Sequence, residues 1–399
     1  VSGAISAVRQ RHLNDRKNES LTLRTVSVAS TARIHTVIVI ARVRCRCFRG
    51  RARASSELTP SFLVDRRMTQ RLHLDRLKYA DRVVWIVIAV MAGLVLSASM
   101  LGPFQIEWMT FWKPGLVASL LVLGSWFYST VRKDAALADA LVSAAQIIAF
   151  AAVAAPVSYV SASAAFPLWD SELMALDRRM GFDWMSWLDA MNAAPLLHRI
   201  LALAYASFAV QATAIVVVLA AAGHSLRLRV FMLSFALTTL VTIGVSTLMP
   251  AQGVWGHLHL SAVNSPAIVP VTRDLPLPVF FGLRDGTFVH LVAEGAEGII
   301  SFPSLHAALG LLFLLALWRV KYVGWIATML NVAMIAATPV DGSHYFSDVA
   351  AGLAIALLSW VAVRHALTRM TGERMEAGGE LYLPPVGAYE KAEALRRAS

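Results

Sequence analysis

Long apolar runs recur along this chain, near residues 83–102, 112–131, 137–160, 197–222, 229–249, 303–319, 322–339 and 345–363. About 20 apolar residues suffice to cross a bilayer as a helix, and a helix satisfies its backbone polar groups within the segment. The pattern predicts an all-α fold, a polytopic membrane helix bundle of about eight spans. Composition agrees, since only 15% of the 399 residues are charged against about 25% in soluble domains. The weakest run is 322–339, which is short and contains Asn331. Cys45 and Cys47 are the only cysteines, too few for a disulfide framework or a zinc site.

The net charge of +11 is concentrated at one end. Residues 1–82 hold 18 Lys+Arg and 6 Asp+Glu, whereas the remainder holds 18 and 19. Residues 1–81 therefore read as a basic, disordered N-terminal extension that lies against anionic lipid. Residues 1–67 read further as a mis-assigned or dispensable start, with Met68 opening the chain proper. The basic segment lacks the aromatic interleaving of a nucleic-acid binder, so no nucleic-acid partner is expected.

Lys and Arg in short connections orient a membrane protein. With eight spans, Arg132 and Lys133, Arg227 and Arg229, Arg319 and Lys321, and Arg364, Arg369 and Arg374 all fall on one side. That side is expected to be cytoplasmic and to hold both termini. The loops 161–196 and 250–301 then face outward. In the first, the spacing of Leu173, Met174, Leu176, Met180, Trp184, Trp187 and Leu188 predicts short interfacial amphipathic helices; Arg178 and Arg179 run against the charge rule there. A connection as long as 250–301 usually has a functional role.

Two short stretches carry chemistry. Ser301-Phe302-Pro303-Ser304-Leu305-His306 opens the sixth run, and Gly342-Ser343-His344-Tyr345-Phe346-Ser347-Asp348 opens the eighth. A helical hairpin separates them, so the two histidines return to one membrane level. Asp348 is four residues from His344 and shares a helix face with it, where it can orient the ring and stabilise its charged form. Pro303 suits a first helical turn, leaving the N–H groups of Ser304, Leu305 and His306 to bind an anion such as phosphate. His306 can give a proton to a leaving oxygen. Read as structure alone, the first motif is a capped helix start and the second a polar pair pinning two helices. Ionisable groups at membrane depth, however, are usually functional.

Together, Pro303-Ser304-Leu305-His306 and His344-Tyr-Phe-Ser-Asp348 resemble the type 2 phosphatidic acid phosphatase and vanadium haloperoxidase superfamily, over roughly residues 165–365. Leu305 and the His-Tyr-Phe run are most similar to the branch containing inositol phosphorylceramide synthases and their bacterial relatives. The resemblance implies a six-helix catalytic core and a metal-independent enzyme without cofactor. It implies that His344 attacks phosphorus and forms a phosphohistidine, that Asp348 orients it, that His306 protonates the departing alcohol, and that Ser304 holds phosphoryl oxygens. The chain departs from the family in lacking any Arg-Pro dipeptide and in carrying Thr338 where the family has an arginine six residues before the second histidine. Arg273 and Arg284, in the outer loop, are the candidates for the missing positive charge.

The expected organisation is N-terminal transmembrane helices over 82–161, a phosphatase- or phosphotransferase-like catalytic domain over 162–366 and a cytoplasmic tail over 367–399. The expected function is phosphoryl transfer on a lipid phosphate substrate at the periplasmic face of a bacterial inner membrane, as a phosphatase or an inositol or headgroup phosphotransferase. The other class left open is a transporter using His344 and Asp348 as a proton relay. A vanadate-dependent haloperoxidase is suggested by the shared motifs alone.

Overall fold

In the computed structural model, residues 60–101, 104–261, 263–272, 277–293 and 298–371 are described, with side chains from Leu77 onward. The expectations for residues 1–59, for Arg273 and for the tail beyond residue 371 lie outside them. The chain divides into two units, residues 1–72 and 73–399; of the first, only the helical backbone from Pro60 is described. The second is an all-α membrane bundle.

Helices cover all eight apolar runs. They are α1 (Pro60–Leu101), α2 (Trp112–Thr130), α3 (Ala135–Ser163), the consecutive α6 (Pro195–Ala206) and α7 (Phe208–Ala221), α8 (Ser225–Leu248), α11 (Leu305–Leu317), α12 (Gly324–Asp341) and α13 (Phe346–Thr371). Between α3 and α6 lie α4 (Asp170–Arg179) and α5 (Trp184–Ala193), the short helices expected over residues 161–196. The long connection 250–301 carries α9 (Val254–His257) and α10 (Leu277–Asp285). Its strand β2 (His290–Leu291) pairs in parallel with β1 (Gln105–Ile106).

By length and apolarity, four described helices can cross a membrane: Leu77–Met100 of α1, α3, α8 and Phe346–Met370 of α13. The pair α6 and α7, bent by 55° at Ser207, makes a fifth if it counts as one span. The other runs fall short of that measure. The reason is clearest in α11, whose 13 residues reach about 20 Å against a hydrocarbon core of about 30 Å. It packs against α7, α8, α12 and α13. Ala307, Ala308, Leu312, Phe313 and Ala316 are fully buried. Buried along its length and in contact with four other helices, α11 lies at the centre of the bundle.

The outer helices show the opposite pattern. Along α1, Leu77, Ala80, Val84, Ile88, Met91 and Val95 face inward at helical spacing, while Ile86, Val90 and Leu94 are exposed. Expected in the connection between two spans, Arg227 and Arg229 instead lie within α8 and are buried. Arg229 Nη1 and Nη2 donate to Asp139 on α3 at 2.7 and 2.6 Å, and Nη2 also donates to Asp81 on α1 at 3.0 Å. A buried guanidinium needs such partners, because losing hydration is costly unless paired charges replace it. One arginine thereby ties α1 and α3 to the rest of the bundle.

Candidate active site

Each motif histidine stands at the start of a helix that the other motif helps to hold. Ser304 caps α11, its hydroxyl accepting from the Ala307 N–H at 3.2 Å. The Ser304 N–H donates to the main-chain carbonyl of Asp348 at 3.2 Å, so it is not among the unpaired donors that the motif alone suggested. Close approach of α11 and α13 depends on Gly352, where a Cβ would stand 2.3 Å from the Ser304 carbonyl oxygen.

His344 lies in the connection before α13 and is 3% exposed. Its Nδ1 is 3.4 Å from Asp348 Oδ2, which also accepts from the Tyr345 N–H at 3.1 Å. That spacing is longer than a formed hydrogen bond, as is common in catalytic pairs before substrate binds. Burial pushes the His344 imidazole down to about 4, opposed by a bond to the Ser301 main chain. The ring is packed over Gly342, where a Cβ would meet His344 Cδ2 at 2.5 Å and Nε2 at 3.0 Å. His306, on the first turn of α11, lies within Coulomb range of His344. Tyr205 of α6 stacks on it with centroids 4.2 Å apart and places its hydroxyl 3.2 Å from His306 Nδ1.

Carboxylates from distant segments hold the His344 loop. Asp170 and Asp177 sit seven residues apart on one face of α4, both buried. Asp177 accepts from the Phe346 and Ser347 N–H groups at 2.7 and 2.8 Å, satisfying the first donors of α13 from another helix. Asp170 accepts from the Tyr345 hydroxyl at 2.9 Å and from the Gln252 and Gly253 N–H groups, each at 3.1 Å. Burial pushes the Asp170 carboxyl up, and these bonds oppose it. Gly253, at φ +87°, is locked there because a Cβ would fall within 2.8 Å of Ser343 and Ser301 oxygens. On the other side His198 Nε2 of α6 pairs with Asp341 Oδ1 at 3.1 Å, both buried. Asp341 Oδ1 also accepts from the Val271 N–H at 3.2 Å.

Of the two arginines expected to bind phosphate, Arg284 is described. Its Nη2 donates to the Phe166 carbonyl at 2.7 Å, and the guanidinium lies over the Phe280 ring at 5.3 Å. Its Nη1 is buried without a hydrogen-bond partner among the described residues. Arg284 feels the charge of Asp170, whose carboxylate binds the residue next to His344. Thr338, where the resembled family has an arginine, turns its hydroxyl to the Ile335 carbonyl at 2.7 Å and supplies no charge.

Sequence reasoning left out Tyr205, His198 and Asp341, gave Tyr345 no role of its own within the motif, and did not single out Asp170 or Asp177. A signal for the two aspartates was present: they share the register of the apolar Leu173 and Met174 on α4. Acids within an apolar stripe are buried acids, and buried acids have partners.

Residues 171–362, which include both motifs, match the family model described as the PAP2 superfamily. No curated protein and no solved structure matches the chain. This likeness over residues 171–362, together with the apolar helices, supports the reading of a phosphatase-type membrane enzyme.

Proposed function

We propose that the chain transfers the phosphoryl group of a lipid phosphate ester through a phosphohistidine on His344. The observation that carries this reading is the buried His344–Asp348 pair at 3.4 Å, with the start of α11, and so His306, anchored to Asp348 by the Ser304 bond. The neutral His344 imidazole attacks phosphorus, forming a P–N bond as the P–O bond to the alcohol breaks. Asp348 orients the ring and stabilises its developing charge. His306 gives its proton to the departing alkoxide, then takes one from water or an acceptor hydroxyl in the second step. Arg284, with its unpartnered Nη1, and Ser304 at the helix start contribute to phosphate binding, and Arg273 remains the second candidate cation.

Helix α6 supports a lipid as the substrate. Its inward face carries His198 and Tyr205, while Leu196, Ile200 and Leu203 on the other face are 70%, 55% and 72% exposed. A lipid-facing surface and the partners of both motif segments are thus one helix diameter apart. The charge pattern of the connections supports the outer, periplasmic face, and Leu305 with His-Tyr-Phe supports the headgroup transferase branch over simple hydrolysis.

The test is to incubate the purified full chain in detergent with lipid phosphates and phosphoinositides, with and without inositol, beside His344→Ala. Phosphate release by the wild type alone supports a phosphatase. Headgroup exchange that needs the acceptor supports a transferase. Turnover by His344→Ala near the wild-type rate would overturn the assigned nucleophile.

A further inference from the structure

Residues 251–272 contain no Asp, Glu, Lys or Arg, where about 25% of the residues in a soluble domain are charged. His257 and His259 are the only titratable side chains in the stretch. Its middle nevertheless lies on the surface. Val263 is 86% exposed and Val269 72%, and Pro266 and Ala267 between them are exposed as well. Ile268 turns the other way, into the apolar cluster that holds Trp184, Trp255 and Tyr345.

Both feet of this loop stand on the segment that leads into His344. At the first, the Val254 N–H donates to the Ser343 carbonyl at 2.9 Å and the Trp255 indole N–H to the Val340 carbonyl at 3.0 Å. At the second, the Thr272 N–H donates to the Asp341 carbonyl at 3.1 Å. The loop therefore rises from the end of the bundle where His344 lies. Its tip is held sideways by Asn192 near the end of α5, whose Nδ2 donates to the Asn264 carbonyl at 3.1 Å. Helix α6 begins three residues after Asn192, with Leu196, Leu197 and Ile200 exposed. Helix α8, which is long and apolar enough to cross a membrane, ends just before the loop at Leu248, also exposed.

We infer that the loop between these feet is a membrane-contacting wedge, with Val263 and Val269 seated in the interfacial layer of the bilayer around the bundle. The partner is lipid, because the exposed valines continue the apolar surface of α6 and follow directly on a spanning helix. A chargeless, apolar surface of this kind in water would be an unfavourable exposed patch. Irregular backbone keeps its N–H and C=O groups wet and cannot enter the hydrocarbon core. The side chains therefore reach only the headgroup and upper acyl region, about 5–10 Å deep for interfacial segments. Pro266 and Pro270 suit that position, since neither has an N–H to leave unpaired. The feet on Val340, Asp341 and Ser343 make this lipid contact continuous with the His344 segment. The inference stands apart from the proposed reaction and requires no turnover.

Depth-dependent quenching tests it in the full chain reconstituted in phosphatidylcholine vesicles. Cys45→Ser and Cys47→Ser clear the background, and an environment-sensitive fluorophore is attached at Val263→Cys or Val269→Cys. Leu203→Cys, on the exposed face of α6, is the lipid reference, and Asp285→Cys, exposed in the same connection, is the aqueous reference. The label at Val263 and at Val269 is expected to lose fluorescence to nitroxide-bearing lipids, more with the nitroxide near the headgroup than near the chain end. It is also expected to lose less to aqueous iodide than the label at Asp285. Iodide quenching equal to that at Asp285, with none from nitroxide lipid, would place the loop in water and overturn the inference. Protection from both quenchers would overturn it too, because a second copy or another part of the chain would then cover the valines. In a further variant the label sits at Ala267→Cys beside Val263→Asp and Val269→Asp. Nitroxide quenching there should fall below that of Ala267→Cys alone, and an unchanged value would show that the valines do not hold the loop in lipid.

Discussion

The main-chain N–H of Ser304 donates to the main-chain carbonyl of Asp348 at 3.2 Å. One residue belongs to each motif, and this bond sets the register between the helices that carry the two histidines. A side-chain change that pushes α11 away from α13 therefore moves His306 relative to His344 without touching either ring.

Gly352 provides that change. A Cβ there would stand 2.3 Å from the Ser304 carbonyl oxygen. In a helix interior, Gly→Ala ordinarily stabilises by about 1 kcal/mol, whereas overpacking costs about 1–3 kcal/mol. Gly352→Ala is expected to lower the unfolding midpoint and to reduce turnover by at least tenfold, since small misplacements of catalytic groups are severe. Thermal unfolding in detergent beside an activity assay checks both; a stabilised variant would show that the helices are not in contact there.

Asp177 caps α13 from α4. Each hydrogen bond to a charged group contributes about 1.5–3 kcal/mol, and Asp177 makes two, at 2.7 and 2.8 Å. Asp177→Ala is expected to destabilise by about 3 kcal/mol or more, and Asp177→Asn by less, because an amide oxygen still accepts. Denaturant or thermal melts of the two variants give the order, and the reverse order would be inconsistent with capping.

Acid sensitivity follows from His344. Its imidazole is lowered from 6.5 to about 4 by burial, so on acidification the unfolded chain binds this proton first. The contribution to stability is whole above pH 6.5 and is lost as pH falls through about 4. The unfolding midpoint should decline across that window, and His344→Gln should flatten the decline. The nucleophile stays neutral through the same window, so rapid-quench measurement of phosphoenzyme formation should show no loss attributable to His344 until the pH nears 4. An unchanged pH slope in His344→Gln would contradict the assignment.

Arg284 has a free arm on a fixed guanidinium. If Nη1 meets a phosphoryl oxygen, Arg284→Gln removes one charge-assisted bond of about 1.5–3 kcal/mol, or tenfold to a hundredfold in kcat/KM. Arg284→Lys should recover part of the charge but not the fork, and fall between. Steady-state kinetics on one lipid phosphate distinguish this from a role confined to anchoring Phe166, for which kcat/KM would follow stability alone.

The two motifs and the bundle were legible because their signals are local. The pairing of His344 with Asp348 needs only a spacing of four on a helix, and the apolar runs need only length. Tyr205, Asp177 and Asp341 were not legible as site residues, because each acquires its role from a partner more than 100 positions away. Arg229 shows the same limit from the other side: counted along the chain it is one more positive charge in a connection, and only packing reveals two carboxylates around it.

By itself, then, the sequence determined a helical membrane chain with two histidines at helix starts and a carboxylate beside one of them, since apolar length and i,i+4 spacing act within a single segment. Tertiary structure alone decided that α11 is an enclosed axis, that α4 turns its two aspartates inward to cap and brace the His344 loop, and that α6 supports both histidine segments. Those outcomes depend on which buried polar groups meet across the bundle, and a buried polar group takes whatever partner the packing brings to it.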